Sequence, residues 1–225
     1  NTKARYEDCL LITDLDGTLL NREKEISMEN QKAIRAFLKE GGRFSVATGR
    51  SPASAGRWLE QLPVNYPCIF YNGSMVKDIV HDKILNCEYL KKEEFIPLIH
   101  WILTNNRKTV VEIFTDQGLY VVSDPANEDP YLKEEKDPFV EEDFDRVKEL
   151  EWIKILFCDS HENLERIGRQ LAEYKLEQFC DSFYSQDFFF EITPKNHTKG
   201  TALHFIRKGC EVKNLKIIAV GDYEN

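Results

Sequence analysis

Read for its apolar and polar positions, the chain opens with a short apolar run, Cys9-Leu10-Leu11-Ile12-Thr13, that stops abruptly at acid and glycine. A run of that length without alternation predicts a strand buried on both faces of a parallel sheet. Ser27 stands three residues ahead of Asn30, and Ala33, Ile34, Phe37 and Leu38 fall on one face of a helix that Gly41-Gly42 stops. A second strand is expected over 44–48, a helix over 53–62 with Pro52 near its first turn, and a third strand over 68–71 ending at Asn72-Gly73. Strand, helix, strand, helix, strand is the rhythm of a parallel sheet with helical crossovers.

From Ser74 the rhythm changes. The pattern predicts a hairpin over 75–89, a helix over 93–105 and strands over 109–115 and 119–123. An acid- and proline-rich stretch over 124–148 reads as loop plus one short helix. A strand over 153–158, a helix over 162–174 and strands over 179–184 and 188–192 follow. The crossover pattern resumes with a helix over 199–208 and a strand over 217–220 that runs into Gly221-Asp222. The fold class is therefore α/β: a doubly wound, Rossmann-like parallel-sheet core over 1–84 and 186–225, interrupted by an inserted α+β domain over 85–185.

Composition narrows the function classes. With 42% apolar and 31% charged residues in 225, the chain is a globular protein. No apolar run reaches the roughly 18 residues that cross a bilayer. Residues 1–8 lack the basic-then-apolar layout of a signal peptide, so a cytoplasmic location is expected. A net charge of -9 argues against a nucleic-acid partner, which demands a basic face. It does not argue against a small anionic substrate, because a bound divalent cation and one or two local cations set the field in a site. The six cysteines form no Cys-x-x-Cys pair, and several sit in apolar runs, so they are expected to be reduced and buried.

Candidate chemistry gathers at strand ends, where open parallel sheets bind their ligands. Asp14 and Asp16, two apart at the end of the first strand, can enter one crevice as nucleophile or metal ligand and as general acid. Gly17-Thr18 lets the chain turn and aim backbone N–H groups at an oxyanion. An isolated Asp-x-Asp also fits a solvated acidic turn. Thr48-Gly49-Arg50 follows the second strand: the Thr48 hydroxyl suits a phosphate or an ordinary helix N-cap, and Arg50 suits an anion clamp or a surface pair. Asn72 sits at a third strand end. Lys199, at a predicted helix start, can reach the same crevice, whereas His197 is read as structural. Asp222 is a hard-oxygen ligand suited to Mg2+, and Asn225 suits orienting either Asp222 or a metal-bound water.

These segments, Asp14-Leu15-Asp16-Gly17-Thr18, Thr48-Gly49-Arg50, Asn72-Gly73, Lys199-Gly200 and Gly221-Asp222-x-x-Asn225, resemble the ordered motifs of the haloacid dehalogenase (HAD) superfamily. Their spacing, with a large insert between the second and third motifs, resembles its Cof-type phosphatases with a C2B cap. The resemblance implies that Asp14 attacks phosphorus and forms an aspartyl-phosphate, with Asp16 as acid and then base. It implies Thr48, Gly49, Asn72 and Lys199 at the phosphate, and Mg2+ held by Asp14, Asp222 and the carbonyl of Asp16. Gly17, Thr18, Arg50 and Asn225 support them. Family members usually place a second aspartate after the asparagine and continue for roughly one more strand and helix, about 40 residues. By this resemblance either the core is truncated at Asn225 or its tail is not included in the sequence given; true absence of the tail would cost the sheet an edge and lower metal affinity.

The expected function is hydrolysis of a small phosphorylated metabolite, a sugar phosphate or similar ester. A phosphomutase or phosphotransferase of the same fold, and a catalytically impaired binding or regulatory protein, are the alternatives. Phe114, Tyr120, Phe157 and Phe183 serve equally as insert core or substrate contacts.

Overall fold

The computed structural model describes residues 4–127, 129–135, 137–209, 212 and 214–222. In chain order the first elements are β1 (Cys9–Thr13), α1 (Met28–Lys39), β2 (Arg43–Val46), α2 (Pro52–Leu59), β3 (Cys68–Phe70), β4 (Met75–Asp78) and β5 (Lys83–Cys87). Next come α3 (Lys92–Asn105), β6 (Val110–Thr115), β7 (Leu119–Val121), α4 (Pro130–Glu135), β8 (Phe139–Glu141), α5 (Phe144–Val147), β9 (Trp152–Cys158), α6 (His161–Glu173), β10 (Cys180–Gln186) and β11 (Phe189–Pro194). The chain then forms α7 (Lys199–Lys208) and β12 (Lys216–Val220). It divides into two compact units, 1–87 with 197–225, and 88–196.

The first unit is the α/β, Rossmann-like core. Strands β12, β1 and β2 lie side by side in parallel, with Thr13 level with both Val220 and Val46. A parallel bridge between Ala47 and Ile69 carries this order to β3, which continues antiparallel into β4 and β5. The buried side chains of β1 (Leu10, Ile12), Ala47, Ile69 and Val76 pack with Ala202 and Ile206 of α7. That packing fixes the helix across the sheet, and its first residue, Lys199, falls at the strands' carboxyl end. Ser27 caps α1 by accepting from the Asn30 N–H at 3.1 Å. Of the four apolar residues assigned to its inner face, Ile34 is buried and Ala33 is exposed. Helix α2 stops at Leu59, short of residue 62, and the next residues close as turns on Trp58 and Leu59.

The second unit is a six-stranded sheet ordered β10-β11-β9-β6-β7-β8, antiparallel except for β7 beside β8. One face packs Val111, Ile113, Ile155, Phe157, Phe190 and Ile192 against α3 and α6, around the fully buried Trp152. Two expectations need correction here. The stretch 124–148 holds two short helices and a strand, not one helix in loop. Asp129 and Asp143 start the helices by accepting from the N–H groups of Tyr131 (2.7 Å) and Asp145 (2.8 Å), and buried Phe144 packs edge-on against His100. Strand β8 has three exposed residues and no alternation, so no sequence pattern marks it. The insert also runs past residue 185, because β11 pairs with both β10 and β9; the chain leaves this unit after Asn196.

Candidate active site

Strand β1 delivers Asp14 to the sheet edge, where its N–H donates to the Val220 carbonyl at 2.9 Å. Its Oδ1 accepts from the Leu15 N–H at 2.7 Å and its Oδ2 from the Lys199 ammonium at 2.6 Å. The two side chains are only 13% and 11% exposed, so little water screens this pair. Lys199 is the first residue of α7, whose N-cap Thr198 forms a reciprocal capping box with Thr201. The helix N-terminus therefore adds its partial positive charge beside the ammonium, a combination that favours anions. A cavity of about 330 Å³ opens here, with Thr13, Asp14, Lys199, Gly200, Val220 and Gly221 in its lining.

After Asp14 the chain makes one wide turn over Leu15–Leu19, closed by the Leu20 N–H on the Leu15 carbonyl at 2.9 Å. Leu15 and Leu19 are buried and anchor it, while Gly17 takes a φ of +73°. A Cβ on Gly17 would lie 2.3 Å from Asp222 Oδ2, and Thr18 Oγ1 donates to Asp222 Oδ1 at 3.2 Å. The glycine is thus required twice, for its backbone conformation and for the space Asp222 occupies.

Asp16 is held by other partners. Arg50 Nε donates to Oδ2 at 2.7 Å and Nη2 to Oδ1 at 3.0 Å, while Lys24 Nζ reaches Oδ1 at 2.6 Å. Burial pushes the Asp16 carboxyl up, but hydrogen bonds and charge from Arg50 and Lys24 outweigh it and hold it at about 2. Arg50 pairs within the chain, its guanidinium making a bidentate contact with Asp16. Trp58, 2% exposed, organises this clamp: its indole N–H donates to the Lys24 carbonyl at 2.8 Å and its ring lies 4.6 Å under the Arg50 guanidinium. The sequence reading missed Lys24 and Trp58. Lys24 lies in a polar turn without a motif, and Trp58 reads as ordinary helix core.

Thr48 is 1% exposed, and its hydroxyl accepts from the Arg50 N–H at 3.2 Å. It is not the cap of α2, since Ser51 takes that place by accepting from the Ser54 N–H at 3.0 Å. The Asn72 N–H donates to the Thr48 carbonyl at 3.1 Å, and a Cβ on Gly49 would lie 2.8 Å from Asn72 Oδ1. The second and third strand ends are therefore laced together. His197 is half-buried beside the Thr198 cap. Asn225 lies outside the described residues, as does Cys210; the other five cysteines are free thiols.

Gly73 (φ +115°) seats the start of α7: a Cβ there would lie 2.1 Å from the Thr198 carbonyl oxygen. Gly73→Ala is expected to lower stability by about 2–4 kcal/mol from backbone strain and overlap. Chemical denaturation checks this, and a midpoint equal to that of the native chain would refute the seat.

Comparison with known proteins decides the family. The family model described as haloacid dehalogenase-like hydrolase matches residues 11–225. The chain belongs to the haloacid dehalogenase-like hydrolases. Among its relatives in this family is the Bacillus subtilis 5-amino-6-(5-phospho-D-ribitylamino)uracil phosphatase YcsE, 34% identical over 96% of this chain and 77% of that protein. The phosphatase YwpJ of the same organism is 25% identical over 96% and 84%. The crystal structure of TM0651 from Thermotoga maritima superposes with a TM-score of 0.82 at 28% identity, over 96% of this chain and 80% of that one. These relatives put this haloacid dehalogenase-like hydrolase among the family's phosphatases.

The donor set suits a hard divalent cation. Among the described residues no group of three or more His, Cys, Asp and Glu side chains gathers as a metal cluster. Two carboxylates, Asp14 at the end of β1 and Asp222 against Gly17, are oxygen donors of the kind Mg2+ takes, an ion that needs few carboxylates and keeps several waters.

Proposed function

We propose that this chain is a Mg2+-dependent phosphomonoesterase that hydrolyses a small phosphorylated metabolite through an aspartyl-phosphate on Asp14. The observation that carries the reading is the Asp14–Lys199 pair, a carboxylate and an ammonium 2.6 Å apart, nearly out of water, at the carboxyl edge of a parallel sheet. A phosphoryl group entering there meets a nucleophilic oxygen and a cation at once. Asp14, Asp222 and the Asp16 carbonyl would hold Mg2+, which when bound neutralises charge on the transferring phosphoryl group.

In this reading an Asp14 oxygen attacks phosphorus, the ester P–O bond breaks, and Asp16 gives a proton to the departing alkoxide. Lys199, with Thr48, Gly49 and Asn72, binds the phosphoryl oxygens. Asp16 then takes a proton from water as that water attacks phosphorus, and phosphate leaves with Asp14 restored. A carboxyl held at about 2 carries no proton near neutrality, so Asp16 has to leave Arg50 and Lys24 before it serves as the acid. The second unit is read as the family's cap, the part that selects the substrate. YcsE, named for a phosphorylated ribityl compound, supports a sugar phosphate or similar ester. The free thiols support a reducing, cytoplasmic setting, and no described helix is long and apolar enough to cross a membrane.

The test is release of phosphate from p-nitrophenyl phosphate and a panel of sugar phosphates. Turnover is expected with Mg2+, a drop of at least about tenfold on chelation, and recovery on adding Mg2+ back. Turnover indifferent to chelation would sink the metal-dependent reading.

A further inference from the structure

Three cationic donors occupy the two oxygens of the Asp16 carboxylate, so Asp16 has to leave them before it can reach a departing oxygen. That departure leaves Arg50 and Lys24 behind, and neither follows it. Arg50 keeps its Nη1–H on the Ser54 hydroxyl at 3.0 Å and its guanidinium over the Trp58 ring at 4.6 Å. Lys24 sits in a tight turn between Leu20 and Ile26, which bridge each other. Its N–H donates to the Asn21 carbonyl at 3.1 Å, and the Asn21 N–H donates to the Glu25 carbonyl at 3.0 Å. The Trp58 indole N–H then holds the Lys24 carbonyl at 2.8 Å. One buried ring thus fixes both cations through contacts in which Asp16 takes no part.

Together the cations form a preorganised oxyanion receptor. Arg50 Nε, Arg50 Nη2 and Lys24 Nζ meet the Asp16 oxygens at 2.7, 3.0 and 2.6 Å. A planar guanidinium offers the same fork to any carboxylate or phosphate edge. The Arg50 side chain is 12% exposed and that of Lys24 47%, so the receptor has a sheltered floor and an open side. Emptying it breaks three charge-assisted hydrogen bonds, and Arg50 suffers most because water reaches it least. A neutral hydroxyl brings no charge in exchange; an oxyanion restores all three bonds.

We propose that the substrate carries a second oxyanion on its leaving group, a carboxylate or a further phosphate, and that this group displaces Asp16 from Arg50 and Lys24. The inference rests on the reading of Asp14 as nucleophile and Asp16 as acid, and it narrows the substrate class of that site. A ligand shifts a two-state equilibrium only by its differential affinity for the two states. The second oxyanion supplies that difference, because it enters the receptor only when Asp16 is out. An ester with a neutral leaving group supplies none.

The test measures affinity and turnover separately. Affinity is read by calorimetry on Asp14→Asn with Mg2+, using two matched pairs of esters: 3-phosphoglycerate against glycerol 3-phosphate, and fructose 1,6-bisphosphate against fructose 6-phosphate. In at least one pair the member with the second oxyanion is expected to bind at least about tenfold tighter, and the pair that shows it identifies carboxylate or phosphate as the group taken. In the native chain kcat/KM should favour the same member by a similar factor. Lys24→Met should bring both ratios close to one, whereas Lys24→Arg, which keeps the charge, should preserve them. Adding Asp16→Asn removes the competing carboxylate and should raise the affinity ratio further, an effect that a merely structural role for Lys24 does not produce. Absence of binding, or an affinity ratio near one in both pairs, overturns the receptor; so does a ratio that Lys24→Met leaves intact or that Asp16→Asn does not raise. No turnover of any ester beside an intact affinity ratio would overturn the phosphatase reading and uphold the receptor.

Discussion

Asp14→Asn is expected to lower phosphate release by about four orders of magnitude or more, because an amide oxygen neither attacks phosphorus nor forms the acyl phosphate. The change is nearly isosteric, so the Leu15 N–H keeps its acceptor and the wide turn after β1 is retained. Lys199, 11% exposed, loses its carboxylate, and a fall in stability of about 1–3 kcal/mol should accompany the loss of turnover. The two effects separate cleanly: a cooperative melt with abolished steady-state p-nitrophenyl phosphate hydrolysis assigns the loss to chemistry. Undiminished turnover in the folded variant would remove Asp14 from the mechanism.

Lys199→Met should cost about two to three orders of magnitude in turnover, the usual effect of removing one preorganised donor from a developing charge. The methionine stem fills the same space along α7 while the charge is gone, and Asp14 keeps its bond from Leu15. Lys199→Arg is not expected to restore the rate. A guanidinium is a longer, rigid planar fork of donors and does not reproduce the compact charge that the ammonium places 2.6 Å from Asp14. Steady-state kinetics on both variants check this, and an arginine variant as fast as the native chain would show that charge alone suffices.

Much of the core was legible from residue order. An unalternating apolar run ending in acid predicts a buried parallel strand with a polar group at its tip, and β1 follows that pattern through Thr13 and Asp14. Ser27 marks the start of α1 and Lys199 the start of α7 through local capping chemistry that needs no distant partner. The second unit was less legible. The exposed strand β8 carries no periodicity, and its place beside β7 is a long-range pairing. The end of the insert at Asn196 depends on β11 finding β9, again a partner far along the chain.

The same division runs through the site. Sequence alone determined which residue types stand at the strand ends, because strand, turn and helix signals are local and the motif residues sit between them. It also determined the family, through five segments in order. Only the tertiary structure decided what those residues touch. It paired Asp14 with Lys199 across 185 positions, gave Asp16 to Arg50 and Lys24 over the Trp58 ring, and put Asp222 in the space left by the missing side chain of Gly17. Burial and partner identity set the charge state of a carboxyl, and both are products of packing between distant strands.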